Sequence, residues 1–450
     1  MDEDFALEPA IAQWRSAVSA QRAIAPADAD ELESHLRDRV DELESAGLAP
    51  DEAFLIAIKR LGAIDRLTDE YAREHSDRLW KQLTPAASAP AQPLWTAVVF
   101  AIVAAAAVKI PSLFDATGDP QMFGGSALAF ANGVLLVLAV LAAYFAVVRR
   151  APALAIGATA AGFIAVGAAL DLYPLAPDGM TYLLAVLHAP VALWLLTAIV
   201  FVAGDWRSIP RRMDFIRYTG EWVVYFVLIA LGGGVLVALT IGLFSAIDVD
   251  VVPFVQDVVL PCGAAGATIF SAWLVETKQS VIENIAPVLT KAFTPLFTAL
   301  LLALIVVGLV QGGLDTVDRN LLILFDLTLL VVLGLLLYSL SARDPLARPG
   351  WFDRLQVLLL ASAIAVDLIV LVAMLTRIGA FGVSANKAAS LGLNLLLLVN
   401  LVVALWLQVR FVLRRTPFAT LERWQTGYVP VYLAWCLIVI VVFPPVFAFS

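Results

Sequence analysis

The sequence predicts an all-α, polytopic membrane protein, with about eleven transmembrane helices preceded by a small cytoplasmic helical domain. Three observations carry that expectation. The chain of 450 residues is 61% hydrophobic and 15% charged, whereas an average soluble domain is roughly 45–50% apolar and roughly 25% charged. From Leu94 onward, apolar runs alternate with short polar loops, and the runs approach the ~20 residues that cross a bilayer. The basic residues of those loops fall mostly on one side of the resulting topology. This composition excludes a disordered chain and argues against an ordinary soluble globule.

The elements follow in order. The N-terminus, MDEDFALEPA, is acidic and lacks an apolar core, so no cleavable signal peptide is expected and the first residues stay in the cytoplasm. Residues 1–82 read as four short helices near 5–20, 27–46, 51–61 and 65–82. Leu32, Leu36, Val40 and Leu43 give the second an apolar stripe. Gly47 and Gly62 stand where αL caps end helices, and Pro50, Asp51 and Glu52 suit a first turn. Residues 83–93 (LTPAASAPAQP) form a linker. Residues 94–450 are the membrane domain. Its eleven runs lie near 94–110, 126–148, 151–170, 180–203, 222–247, 257–275, 292–312, 321–341, 355–376, 389–413 and 429–448.

With the N-terminus inside, the inner loops and flanks hold 15 Lys and Arg, among them Arg149, Arg150, Arg211, Arg212, Arg414 and Arg415. The outer side holds four: Lys109, Arg319, Arg377 and Lys387. A missed span would invert every later loop and destroy this asymmetry. The expected location is the bacterial inner membrane, with the C-terminus extracytoplasmic. Outer loops are short and acidic, as at Asp115 and Asp119, then Asp248 and Asp250. Between spans 6 and 7, Ser280 and Glu283 form a capping-box pattern, followed by an apolar face from Val281 to Leu289. That segment is either an interfacial helix or a helical extension of the bundle.

Two resemblances follow from particular residues. The string ELESHLRDRVDELESAGLAPDEAFLIAIKRLG, Glu31 to Gly62, resembles the permease prefix domain. That family is a small cytoplasmic helical module of signalling type found ahead of membrane spans in bacterial proteins. His35, Gly47, Ala53, Ala57 and Gly62 carry the likeness, and Ala49 departs from it where a Ser-type N-cap is usual. Residues from about 285 to 400 resemble a multi-pass bacterial membrane family known as a domain of unknown function. Pro295-Leu296 and the string RIGAFGVSANK, Arg377 to Lys387, carry that likeness. Together the resemblances imply an inner-membrane protein whose cytoplasmic domain meets a protein partner. Full permeases with the prefix domain carry a large extracytoplasmic domain among few spans, and this chain has neither feature.

Ionisable groups inside a bilayer are costly and point to function by default. Asp326 in span 8 and Asp367 in span 9 stand out. Asn394 and Asn400 in span 10, with Arg377 just beyond span 9, complete a candidate polar site. Two readings stand: a proton- or cation-linked path or a small-ligand site, or carboxyls that bond neighbouring helices or stay protonated and so fix the packing. His188 in span 4 is expected to bond a neighbouring helix, and His35 to be partly buried beside Glu31. Gly232-Gly233-Gly234 in span 5, and Gly263 and Gly266 in span 6, read as close helix contacts or as a broken helix.

Two distant cysteines and three scattered histidines offer no disulfide framework and no metal set. No phosphate loop, zinc-protease, hydrolase-elbow or dinucleotide motif occurs. No enzyme activity and no cofactor are therefore expected. Residues 1–82 hold nineteen acidic and ten basic residues, so the whole net charge of −9 resides there. An acidic domain argues against nucleic-acid binding and suits a basic protein partner. The expected function is a non-enzymatic signalling or regulatory module in the lipid bilayer. The alternative is a transporter or permease-like protein using the polar cluster of spans 8–10.

Overall fold

The computed structural model describes residues 7–8, 11, 26–45, 48–50, 53–54, 57 and 93–449. Within the last range, 115–126, 177–178, 278–284, 311–318 and 344–346 are excepted. Every regular element among the described residues is helical. The chain divides into two units, Met1–Ala91 and Gln92–Ser450.

In the first unit the stripe expected of the second helix is realised. The helix Pro26–Ser45 buries Leu36, Val40 and Leu43, and Ile11, Ala53, Phe54 and Ala57 are also buried. Arg37 donates to Glu8 at 2.5 Å and to Glu33 at 2.8 Å. The Arg37 guanidinium holds the Glu8 carboxyl below its ordinary value. His35 is exposed, not partly buried, because its neighbours Leu36 and Val40 already occupy the buried stripe. The caps expected at Gly47 and Gly62, most of the other three helices and nearly all of the linker lie outside the described residues. So do Asp115, Asp119 and the Ser280–Glu283 capping box.

The second unit contains eleven helices long and apolar enough to cross a membrane. The protein is thus a multi-pass membrane protein, as the apolar runs predict. Its spans are span 1 (Leu94–Phe114), span 2 (Ala129–Val148), span 3 (Ala153–Leu172), span 4 (Met180–Phe201), span 5 (Ile209–Ser245), span 6 (Val252–Thr277), span 7 (Leu289–Val306), span 8 (Ile323–Ser341), span 9 (Trp351–Phe381), span 10 (Ala385–Val412) and span 11 (Phe418–Val441).

Two apolar cores organise them. One gathers spans 1–4 with parts of spans 5, 6 and 11, around Leu141, Tyr144, Phe145, Leu193 and Ile269. The other gathers spans 7–11, around Leu301, Leu329, Leu336, Leu360 and Leu401. Spans 9 and 10 pack along one another, and span 7 also packs on span 9. Span 11 packs against both span 4 and span 10, which links the cores.

Span 5 is longer than its apolar run. Ser208 precedes its first turn and accepts from the Arg211 amide at 3.5 Å, and a proline stands at the start. The arginine-rich stretch 205–217, a loop by its composition, is therefore helix from Ile209 onward. Met213, Phe215, Ile216 and Tyr218 bury one face of it. Arg217 donates to the Ser341 carbonyl at 2.9 and 2.6 Å, tying span 5 to span 8. Beyond Phe226 the helix leaves its neighbours, and no residue of its most apolar stretch is buried. Gly232, Gly233 and Gly234 accordingly meet nothing within 4 Å, and neither does Gly263 or Gly266. Close contact occurs at other glycines: Gly220 lies under Tyr338 and Gly392 under Trp435.

Candidate functional site

Span 9 organises the polar side chains of the second core. Residues 7, 11 and 14 apart on an α-helix return to nearly the same face, at 100° per residue. Asp353, Gln356, Asp367 and Met374 are spaced in this way and all are buried. They form one stripe facing spans 8 and 10. Leu360 and Ala363, fully buried, interrupt the stripe between Gln356 and Asp367.

At one end, Asn394 of span 10 bridges the helices. Its amide nitrogen donates to Asp326 Oδ1 at 2.9 Å, to the Ser390 carbonyl at 2.9 Å and towards Met374 Sδ at 3.5 Å. Asp326 is 8% exposed and Asn394 fully buried. The carbonyl oxygen of Asn394 has no hydrogen-bond partner.

Asp367 lies deeper. At about 1.5 Å per residue, it stands roughly 21 Å from the turn joining spans 9 and 10, and Asn394 roughly 14 Å. Its side chain is fully buried, and neither carboxylate oxygen has a hydrogen-bond partner. Asp326 acts on it through space. An unpaired buried carboxylate costs several kcal/mol, so the Asp367 carboxyl either keeps its own proton or takes a positive or donating partner. Among the described residues no three His, Cys, Asp or Glu side chains converge. The donor set suits a proton or a single monovalent cation better than a divalent metal.

The other end of the stripe is bonded across the helices, save for Gln408 Oε1, which has no hydrogen-bond partner. Arg343 binds Asp353 through Nε–Oδ1 at 2.9 Å and Nη2–Oδ2 at 3.3 Å. Its guanidinium lies 4.6 Å from the Phe411 ring centroid and 4.9 Å from that of Phe418. Asp353 also caps span 9 by accepting from the Gly350 amide at 2.7 Å. Gln408 donates to Gln356 at 3.0 Å, and Gln356 donates to the Ser339 hydroxyl.

Of the five residues the sequence singles out, Asp326, Asp367 and Asn394 belong to this core. Asn400 faces span 11 instead. It donates to Gln425 at 3.1 Å and Tyr432 at 2.8 Å, and accepts from Trp424 at 2.8 Å. Arg377 is half-buried about 15 Å along the helix from Asp367. His188 bonds the Leu184 carbonyl of its own helix at 2.8 Å, not a neighbouring span. The residues missed by the sequence reading are Asp353, Gln356 and Gln408. The signal for Gln356 and Asp353 is their 11- and 14-residue spacing from Asp367, visible once span 9 is extended to Trp351, and for Gln408 its 14-residue spacing from Asn394.

No protein-family model matches the chain, and no curated protein or solved structure matches it significantly.

Proposed function

We propose that the protein is a membrane carrier in which spans 8–10 bind and pass a proton or monovalent cation. The observation that carries this reading is the Asp367 carboxyl, fully buried in mid-helix with both oxygens unpartnered. A carboxyl that served packing alone would be bonded across helices, as Asp326 and Asp353 are. Asp326 and Asp367 then act as two stations at successive depths, and Leu360 and Ala363 as the dry barrier beyond them. The arginine asymmetry of the loops supports an inner-membrane location with the N-terminus cytoplasmic and the C-terminus outside. The test is flux into proteoliposomes of the full chain, read with an internal pH dye and with radioactive sodium. Asp367→Asn is expected to abolish a flux the wild-type protein supports. A silent wild-type protein, or a variant as active as wild type, overturns the reading.

A second reading concerns residues 1–82. They lie within a compact unit of their own and carry the whole net charge. That supports a regulatory domain of the permease-prefix type, engaging a basic protein partner. Deleting residues 1–82 is then expected to alter control of flux while leaving Asp367-dependent flux itself in place. Unchanged control removes this second reading alone.

A further inference from the structure

A second chamber lies among spans 1, 2, 4, 5 and 6, with a volume of about 530 Å³. Its wall is aromatic and aliphatic. Trp194 and Trp222 approach with centroids 4.5 Å apart, and Trp222 stacks on Phe226 at 5.0 Å. Pro190 and Pro261 also line it, where they free the backbone of two spans from regular packing. A π-helical turn, Val255–Val259, precedes Pro261.

The polar atoms of this wall are nearly all spent on one another. Trp194 donates to the Thr219 hydroxyl at 3.2 Å, and that hydroxyl donates to the Phe215 carbonyl at 2.8 Å. Trp222 donates to the Thr268 carbonyl at 3.0 Å, and the Thr268 hydroxyl to the Ala264 carbonyl at 3.0 Å. The Ser112 hydroxyl donates to the Lys109 carbonyl at 2.8 Å. What faces the space is therefore hydrocarbon and ring surface. The exception is the Lys109 ammonium. It donates one hydrogen bond, to the Asp257 carbonyl at 2.7 Å, and has no carboxylate partner among the described residues.

The dimensions are those of one lipid leaflet. Lys109 sits at the break in span 1 between the helices Leu94–Ala107 and Ile110–Phe114, level with Asp257 of span 6. From Asp257 to Thr268, at the chamber's inner end, is about 16 Å at helical rise. Half of a ~30 Å hydrocarbon core is about 15 Å. Val191 and Val223, which line the chamber, are also exposed on the bundle's outer surface, so it opens sideways.

We infer that this chamber binds a membrane lipid with an anionic phosphate headgroup, its acyl chain against Trp194, Trp222 and Phe226 and its phosphate at Lys109. The chemistry decides the class: a dry apolar wall takes a hydrocarbon chain, and a cation with no carboxylate partner among the described residues takes an anion. This site is separate from spans 8–10, and its test does not depend on flux.

The experiment is native mass spectrometry of the full chain in detergent. Phosphatidylglycerol, phosphatidylcholine and glycerol phosphate are added in separate arms. Wild-type protein is expected to retain phosphatidylglycerol over phosphatidylcholine by about fivefold. Lys109→Ala is expected to erase that preference without losing chain binding. Val223→Trp, placed at the open mouth and away from the packed wall, is expected to expel both lipids. Ala264→Phe fills the inner end and serves as the second blocking variant. An unchanged preference in Lys109→Ala overturns the proposal, as does full retention in both blocking variants. Competition by glycerol phosphate alone, without displacement by the lipid chain, also overturns it by showing a simple anion site.

Discussion

Asp353→Ala is the perturbation whose cost can be worked most completely. The carboxylate accepts two bonds from Arg343 and one from the Gly350 amide. The two side chains are 13% and 7% exposed, so the pair is nearly dry. Removing one member of a buried pair costs about 3–5 kcal/mol, because the remaining charge is left uncompensated. Loss of the cap adds about 1 kcal/mol. The Phe411 and Phe418 rings offset part of this, since cation–π contact holds the stranded guanidinium by about 0.5–1 kcal/mol each. The net expectation is a loss of about 3–4 kcal/mol. Arg343→Met alone is expected to cost about as much, and the double variant far less than the sum, with a coupling of at least ~2 kcal/mol. Reversible unfolding by sodium dodecyl sulfate in mixed micelles measures each corner of the cycle. A coupling below ~0.5 kcal/mol would show that the pair is an incidental contact and refute the reasoning.

Other consequences follow from the same geometry. Asn400→Leu strands the Trp424 N–H and the Tyr432 hydroxyl and is expected to cost about 2–3 kcal/mol in the same unfolding assay. Gly233→Ala meets nothing within 4 Å and is expected to stabilise by up to ~1 kcal/mol through helix propensity. Gly392→Ala drives its methyl into the Trp435 ring, closer than 3.0 Å, and is expected to lose about 1–3 kcal/mol. Arg37 holds the folded Glu8 pKa below 4.5, so the contact stabilises above that value and fades as pH falls through the lower folded value. Hydrogen exchange in the Pro26–Ser45 helix should therefore distinguish Glu8→Gln from wild type at neutral pH and not in acid.

The number and order of spans were legible because bilayer length and apolar composition act together over some twenty residues. The ends were less legible where a helix outruns its apolar run. Span 5 begins at Ile209 because Ser208, Pro210 and a buried face from Met213 to Tyr218 sustain it through charged residues. Span 11 begins at Phe418 for a similar reason, with Leu421, Gln425 and Tyr428 buried before its apolar run. Hydropathy cannot register such turns, since their exposed faces carry arginine and glutamate. The glycines of span 5 show the opposite limit. Composition reads Gly232–Gly234 as close contact or a broken helix, yet whether a neighbour is present depends on where the whole helix points, and this helix diverges from the bundle past Phe226.

The polar site shows why residues within a few turns of one another are not thereby one site. Asn394 and Asn400 are six residues apart on one helix, which rotates the second by about 240° from the first. Asn394 consequently turns towards spans 8 and 9, and Asn400 towards span 11, where Trp424, Gln425 and Tyr432 satisfy it. Asp353 and Asp367 are fourteen residues apart, a full four turns less about 40°, and so share a face across some 21 Å of helix. Phase thus sorts the polar residues where proximity does not. On this basis the satisfied residues Asn400 and Asp353 hold helices together. Orphan oxygens remain on Asp367, Asn394 and Gln408, and in the proposed carrier the bound partner sits at the first two.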